Sequence, residues 1–179
     1  LWGCSSKNHE VYASKLGDPL NWNVFEGIST DSYAATIGSD GDFTAAATYS
    51  GYALFFKEHR IHKVYGNKPS NIQIQTQEAP GVKSGCSASV QVVGTTLIYL
   101  SGTGVHGYTG GVPFTLSDVL EKLALSDGIA GKYQGKYYLS AETGKGKQLL
   151  VYDTAKRLWH KEDDTQMLLT APGGGQLYY

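Results

Sequence analysis

The run Gly102-Thr103-Gly104-Val105-His106-Gly107 has the glycine spacing of a dinucleotide-binding turn, G-x-G-x-x-G. That chemistry needs glycines that let the backbone approach a pyrophosphate and then open a helix whose N-terminus meets it. Here another strand-like segment follows, and the corresponding stretch Glu58 to Lys63 has no glycine, so a hairpin turn is expected. Gly85-Cys86-Ser87-Ala88-Ser89 lacks the final glycine of a nucleophile elbow. His62 and His106 recur at one repeat interval and raise a metal site. Equivalent positions in neighbouring units diverge, however, and His59 falls on the opposite face of an extended strand from His62, so packed or hydrogen-bonded histidines are expected.

The carboxylates form three further candidate arrangements. Asp40-Gly41-Asp42 has part of the oxygen pattern of a calcium loop, but the alternation of ligands is incomplete and a turn is expected. Glu162, Asp163 and Asp164 form an acidic run that reads as a solvated turn. Asp42, Glu58 and Asp153 are the candidates for a glycosidase pair, which requires a separation that sequence does not give. Tyr49, Tyr52, Tyr65, Tyr108, Tyr133, Tyr137 and Tyr138 offer stacking surfaces for sugars, yet a sheet core also demands aromatics, and the core reading is preferred. No catalytic, cofactor-binding or metal-binding residue is assigned, and no cofactor is implied.

The elements that would position these residues are strands. With Gly 23 and Tyr 13 against Met 1 in 179 residues, the composition favours turn-rich β structure in one domain. The stretch from Leu54 to Pro69 is matched by Ile98 to Pro113: Leu54, Phe55 and Phe56 meet Ile98, Tyr99 and Leu100, Ile61 meets Val105, and His62, Gly66 and Pro69 recur as His106, Gly110 and Pro113. Both copies read as strand, tight turn, strand, then Gly-x-x-Pro. A repeat of this length falls in the range of propeller blades, roughly 40–50 residues.

Consecutive units are expected over about 42–80, 85–125 and 127–165, with 166–179 and 1–26 joining in one composite blade. Val11-Tyr12 with Trp22 resembles Val151-Tyr152 with Trp159, and both read as outer strand pairs. Leu116, Ser117 and Asp118 lead into a pattern that predicts a short helix near 117–124, with Ser117 as its N-cap. The fold class expected is all-β, a β-propeller of four-stranded antiparallel blades, about four of them, or a fragment of a larger ring.

Formal net charge is −1, which removes a strong electrostatic case for nucleic acid or an anionic membrane. No run approaches the roughly 18–20 apolar residues of a membrane span. Cys4 and Cys86 read as free thiols. The chain opens on Leu1 and is expected to be a piece of a longer one.

The succession VYASKLGDPLNW, GDFTAAATYSGYALFFKEHRIHKVYGNKP, GVKSGCSASVQVVGTTLIYLSGTGVHGYTGG and LLVYDTAKRLWHKED resembles the β-propeller proteins of bacteriophage virions, similar to tail-hub, nozzle and stabilisation proteins. The resemblance spans nearly the whole chain and its motifs are structural. It implies a non-enzymatic structural and assembly component of a phage particle, in the tail or head-tail region. The expected partners are other phage structural proteins and copies of itself, and the expected location is the virion. A carbohydrate-binding or glycan-cleaving propeller at the host surface is the alternative.

Overall fold

The computed structural model describes residues 1–120 and 123–179. Among them, seventeen strands form five separate antiparallel sheets in chain order. The first sheet holds β1 (Trp2–Ser5), β2 (Glu10–Ala13) and β3 (Tyr33–Thr36). The second holds β4 (Ala45–Tyr49), β5 (Tyr52–Lys57), β6 (Arg60–Tyr65) and β7 (Gln73–Glu78), and the third β8 (Gln91–Val93), β9 (Thr96–Ser101), β10 (Gly104–Tyr108) and β11 (Phe114–Thr115). The fourth holds β12 (Ser126–Tyr133), β13 (Lys136–Thr143), β14 (Gly146–Asp153) and β15 (Leu158–Asp163), and the fifth only β16 (Ala171–Gly173) and β17 (Gln176–Tyr178). The chain is all-β, and the described residues form neither a closed barrel nor a closed ring.

The last four sheets open on the same device, a two-residue loop between their first two strands. The pairs that flank it are Tyr49 with Tyr52, Val93 with Thr96, Tyr133 with Lys136, and Gly173 with Gln176. Ser50 and Gly51, Gln134 and Gly135, and Gly174 and Gly175 all carry positive φ. That is the turn geometry whose twist matches paired strands, and glycine adopts it without a Cβ penalty. These turns fix a common register, in which Leu54, Ile98, Tyr138 and Tyr178 are equivalent. The next hairpin keeps it. Phe55 lies opposite His62 as Tyr99 lies opposite His106, and Phe56 opposite Ile61 as Leu100 opposite Val105.

Each sheet packs on the next through alternate residues of its strands. In the second sheet, Ala53, Phe55 and Val64 join Trp2, Cys4 and Val11 of the first. Its Leu54, Phe56 and Ile61 face the other way, into the larger cluster shared with the third and fourth sheets. Tyr99 of the third sheet meets Phe56 at 5.3 Å between ring centroids and donates its O–H to the Pro80 carbonyl at 2.7 Å. Tyr137 of the fourth donates to the Ser89 carbonyl at 2.7 Å. Burial on both faces turns β5 and β9 into continuous apolar runs, where each fully buried Phe or Leu contributes about 1.5–3 kcal/mol.

Several expectations are corrected. Asp118–Leu120 is a single 3-10 turn rather than the start of an α-helix, and Glu121 and Lys122 of the expected helix lie outside the described residues. The Ser117 hydroxyl accepts the Val105 N–H at 2.9 Å, and the Ser117 carbonyl accepts the Leu120 N–H at 2.7 Å, the i to i+3 bond of that tighter turn. Val151-Tyr152 and Trp159 lie on β14 and β15, the pair at one edge of the fourth sheet, as the outer-pair reading expects, whereas Trp22 lies in a loop with its ring over Gly3 and the strand that pairs with β2 on that side is β3. Among the described residues no strand pair joins 166–179 to 1–26. The fifth sheet instead seats on β12, where Thr170 donates to the Ala130 carbonyl at 3.1 Å and Tyr133 donates to the Gly175 carbonyl.

Candidate functional site

One end of the second sheet gathers the ionisable side chains of Asp40, Asp42, Lys57, Glu58, His59 and Arg60 around one cavity. β5 finishes in Lys57, at the register position occupied by Ser101 and Ala141 in the next two sheets. Lys57 is 1% exposed. Its ammonium donates to the Ser39 carbonyl and stands 4.9 Å from the centre of the Phe43 ring. Burial pulls its pKa down, Arg60 adds to the shift, and Asp40 and Asp42 oppose it.

Ser39 is held a second time. Its hydroxyl lies 3.3 Å from His62 Nε2, while His62 Nδ1 meets the Thr76 hydroxyl at 2.9 Å. Burial, then the charges of Lys57 and Arg60, lower the His62 pKa to about 4, so the ring is neutral at pH 7. A cavity of about 290 Å³ opens beside this cluster, lined by Asp40, Asp42, Lys57, Glu58, His59 and Arg60 among others. Glu58 accepts the Ser84 N–H at 3.0 Å, and Arg60 pairs with Glu78 at 3.3 Å. The charged groups thus clamp two connections, residues 38–43 and 79–84, over the sheet end.

The third sheet has a cavity at the same relative place, about 570 Å³, and there the lining is Ser101, Gly102, Thr103, Gly104, Ser117 and Asp118 among others. The G-x-G-x-x-G run is the β9–β10 hairpin, and Gly104, at φ 117°, lets the Ser117 side chain approach to where a Cβ would stand 2.3 Å from its oxygen. β10 continues through Tyr108, so these glycines open a strand and not a helix. Ser101 to Gly104 stand where Lys57 to Arg60 stand in the second sheet, and the charged side chains at this cavity, Lys83 and Asp118, come from the flanking connections.

The remaining candidates separate. His106 stacks on Tyr99 and lies 3.2 Å from the Gly104 carbonyl through Nδ1, on a different sheet from His62. Among the described residues no three His, Cys, Asp or Glu side chains are grouped to hold a metal ion. Asp42 and Glu58 share a cavity, but Asp153 accepts the Ala155 and Lys156 N–H groups in its own turn, at 3.0 Å each. Glu162 and Asp163 belong to β15 rather than to a turn; Glu162 meets His160 and Asp164 meets Lys161. Tyr49, Tyr108 and Tyr137 are buried, whereas Tyr52 and Tyr65 flank Lys63 near the surface, with its ammonium 4.2 and 4.9 Å from the two ring centres. Cys4 and Cys86 are free.

Lys57, Ser39 and Asp31 escaped the sequence reading. Asp31 Oδ2 accepts three backbone N–H groups, from Glu26, Gly27 and Ile28, at 2.8, 2.7 and 3.1 Å. A lysine that closes the apolar run Ala53 to Phe56 was the available signal for the first of these. Compared with known proteins, the chain matches no family model and no curated protein.

Proposed function

We propose that this chain is an arc of a β-propeller that serves as a non-enzymatic structural and assembly component of a bacteriophage particle, in its tail or head-tail region. The observation that carries the structural half of this reading is the repeated sheet-to-sheet bond. Tyr49 closes the first strand of the second sheet and reaches the carbonyl of Thr95 in the turn of the third; Tyr133 does the same from the fourth sheet to Gly175 of the fifth. A bond repeated at equivalent positions favours a constant step from sheet to sheet, as blades require. The ionisable groups support the scaffold role, because Lys57, His62, Asp31 and Asp153 all bond to the chain's own loops.

The phage half rests on the sequence resemblance, and its motifs fall where chain geometry is set. Gly17-Asp18-Pro19 is a turn in the connection between β2 and β3, and Gly66 to Pro69 line the same 200 Å³ cavity as Gly17 and Pro19. Loops on a stiff support would present contacts to other virion proteins and to copies of this chain. Electron microscopy of the purified chain tests the architecture: class averages should show a wedge of radially arranged sheets, and a flat or globular packing would overturn it. Labelled chain incubated with phage tail proteins should be retained by them, and no retention would remove the assembly role.

A second reading, carbohydrate recognition, is favoured by one groove. Lys63, Tyr65, Gln75, Gln77 and Tyr108 line a cavity of about 290 Å³ between the second and third sheets, combining aromatic faces with amides. A glycan array and a reducing-sugar assay are expected to be blank; a defined glycan on the array would make this reading the better one.

A further inference from the structure

We propose that β7 of one copy pairs with β7 of a second copy, antiparallel and edge to edge about a two-fold axis at Gln75, so that their second sheets join into one. The contact goes beyond the reading above, since it needs neither radially arranged sheets nor a virion.

The outer edge of β7 is open. The strand pairs with β6 along its whole length, from Tyr65 with Gln73 to Arg60 with Glu78. Successive residues of a strand turn their N–H and C=O groups to opposite sides, so alternate residues of β7 direct both groups away from β6. Among the described residues no second strand or loop backbone bonds to that edge. Gln73, Gln75 and Thr76 are exposed. Cavities flank the strand on both faces, about 540 Å³ between Ile74, Thr76 and β3, and about 290 Å³ between Gln75, Gln77 and the third sheet.

The strands at the corresponding place in the neighbouring sheets are guarded against such pairing. β3 has four residues and β11 two, and β15 carries Lys161, Glu162 and Asp163. Shortness and charge are the usual means of keeping edges apart. The first strands are engaged with one another instead: Tyr49 of β4 reaches the Thr95 carbonyl, Gln91 of β8 donates to the Ala130 carbonyl at 2.9 Å, and Lys132 of β12 donates to the Val92 carbonyl at 2.8 Å. β7 has six residues, and Glu78 at its end is its one charge.

The side chains of β7 suit a second copy of the same strand. Gln73, Gln75 and Gln77 lie on one face, Ile74 and Thr76 on the other. In an antiparallel pair centred on Gln75, that residue meets its own counterpart, Gln73 meets Gln77, and Ile74 meets Thr76. A carboxamide both donates and accepts, so the glutamine row is self-complementary, and the opposite face gains a β-branched pair. Glu78 falls opposite Ile72, which holds the two carboxylates roughly 20 Å apart along the strands. A parallel pair would set them side by side. The same patch serves both copies, so the assembly closes at two.

Sedimentation equilibrium up to about 1 mM is the test, because an edge of this length makes a small interface. Wild type should pass from monomer to dimer and no further. Gln75→Lys and Gln75→Glu should each weaken dimerisation by about tenfold or more, since like charges would meet at the axis. Mixed in equal amounts, the two variants should recover a one-to-one dimer, which a defect of folding would not allow. Amide hydrogen exchange on wild type needs no variant: alternate amides from Gln73 to Glu78 should exchange more slowly as the dimer forms. A chain that stays monomeric, single variants that associate like wild type, a folded mixture that stays monomeric, or a dimer whose β7 amides gain no protection would each overturn the proposal. A monomer that phage tail proteins nevertheless retain would remove this contact and leave the assembly role standing.

Discussion

The phenolic O–H of Tyr49 donates to the backbone carbonyl of Thr95, tying the end of β4 to the first turn of the next sheet. Tyr133 and Gly175 repeat the relationship two sheets later. Thr95 and Gly175 are exposed, so either carbonyl recovers water when the donor is removed. Tyr49→Phe and Tyr133→Phe are therefore expected to destabilise by about 0.5–1.5 kcal/mol each. With a whole sheet between them, the two effects should add. Urea denaturation of the single and double variants checks this; marked non-additivity would show that the sheets do not act as separate neighbours.

Much of the second and third sheets was legible in the sequence because their inner strands are buried on both faces. That burial demands runs such as Leu54-Phe55-Phe56 and Ile98-Tyr99-Leu100, and the tight turns between them demand glycine or a short polar residue. The segment after Thr115 departs from the expected helix for a physical reason. Leu116, Leu120 and Leu123 do pack on the core, so their spacing mimics a helical face, but Val119 is exposed and the Ser117 hydroxyl is committed to β10. The clamp at Lys57 was not legible, since its partner is a backbone carbonyl, and carbonyls leave no trace in residue type. Closure of the sheets was not legible either, because relative sheet orientation depends on connections that carry no periodic signal.

Trp159 links the fourth sheet to the loop after the third. Its indole N–H donates to the Leu116 carbonyl at 2.7 Å, and its ring meets Tyr152 at 5.1 Å and Tyr137 edge-on at 6.4 Å. Trp159→Ala should cost about 3–5 kcal/mol. Lys145→Ala, at an exposed turn position, should fall within about 0.5 kcal/mol of wild type. Thermal unfolding followed by tryptophan and tyrosine fluorescence separates the two, and equal small effects would contradict the packing described.

Asp31 organises the loop from Val24 to Ser32. One carboxylate oxygen takes three N–H groups, and Ser32 closes the loop by exchanging bonds with Val24. Bonds to a charged acceptor are worth about 1.5–3 kcal/mol each in net terms. Asp31→Ala should therefore release the loop, with amide hydrogen exchange at Glu26, Gly27 and Ile28 faster by at least about tenfold, whereas Asp31→Asn, which keeps an acceptor oxygen, should lose less. Unchanged exchange at those three amides would refute the assignment.

His62 makes stability depend on pH in a defined direction. Its pKa is about 4 in the folded chain, below the ordinary 6.5, so the unfolded chain binds more protons between those values. This contribution is complete above pH 6.5 and is lost as pH falls toward 4, with a slope of at most about 1.4 kcal/mol per pH unit. Carboxylates titrate in the lower half of the same window, so the comparison is with His62→Gln, which retains hydrogen-bonding capacity without the titration. The difference in urea midpoint between the two proteins should change steadily from pH 6.5 to pH 4 and be constant above pH 7. A constant difference throughout would mean that the ring is not buried beside Lys57 and Arg60.

Gly81 tests the tightest backbone approach in the chain. Its N–H donates to the Glu58 carbonyl at 2.9 Å, and a Cβ built there would sit 1.8 Å from the Lys57 carbonyl oxygen, which belongs to a paired strand and cannot withdraw. Gly81→Ala must then push the 79–84 connection off the β5–β6 turn, opening the clamp around Lys57 and the Ser84 contact of Glu58 together. The loss should exceed about 3 kcal/mol, in the range reserved for backbone clashes and broken buried networks. Gly111, by contrast, has no atom within 4 Å of its Cβ position and no positive φ, so Gly111→Ala should be neutral or slightly stabilising by restricting the unfolded chain. Denaturation midpoints of the two variants decide it: a Gly81→Ala protein as stable as Gly111→Ala would mean that the connection does not lie against β5.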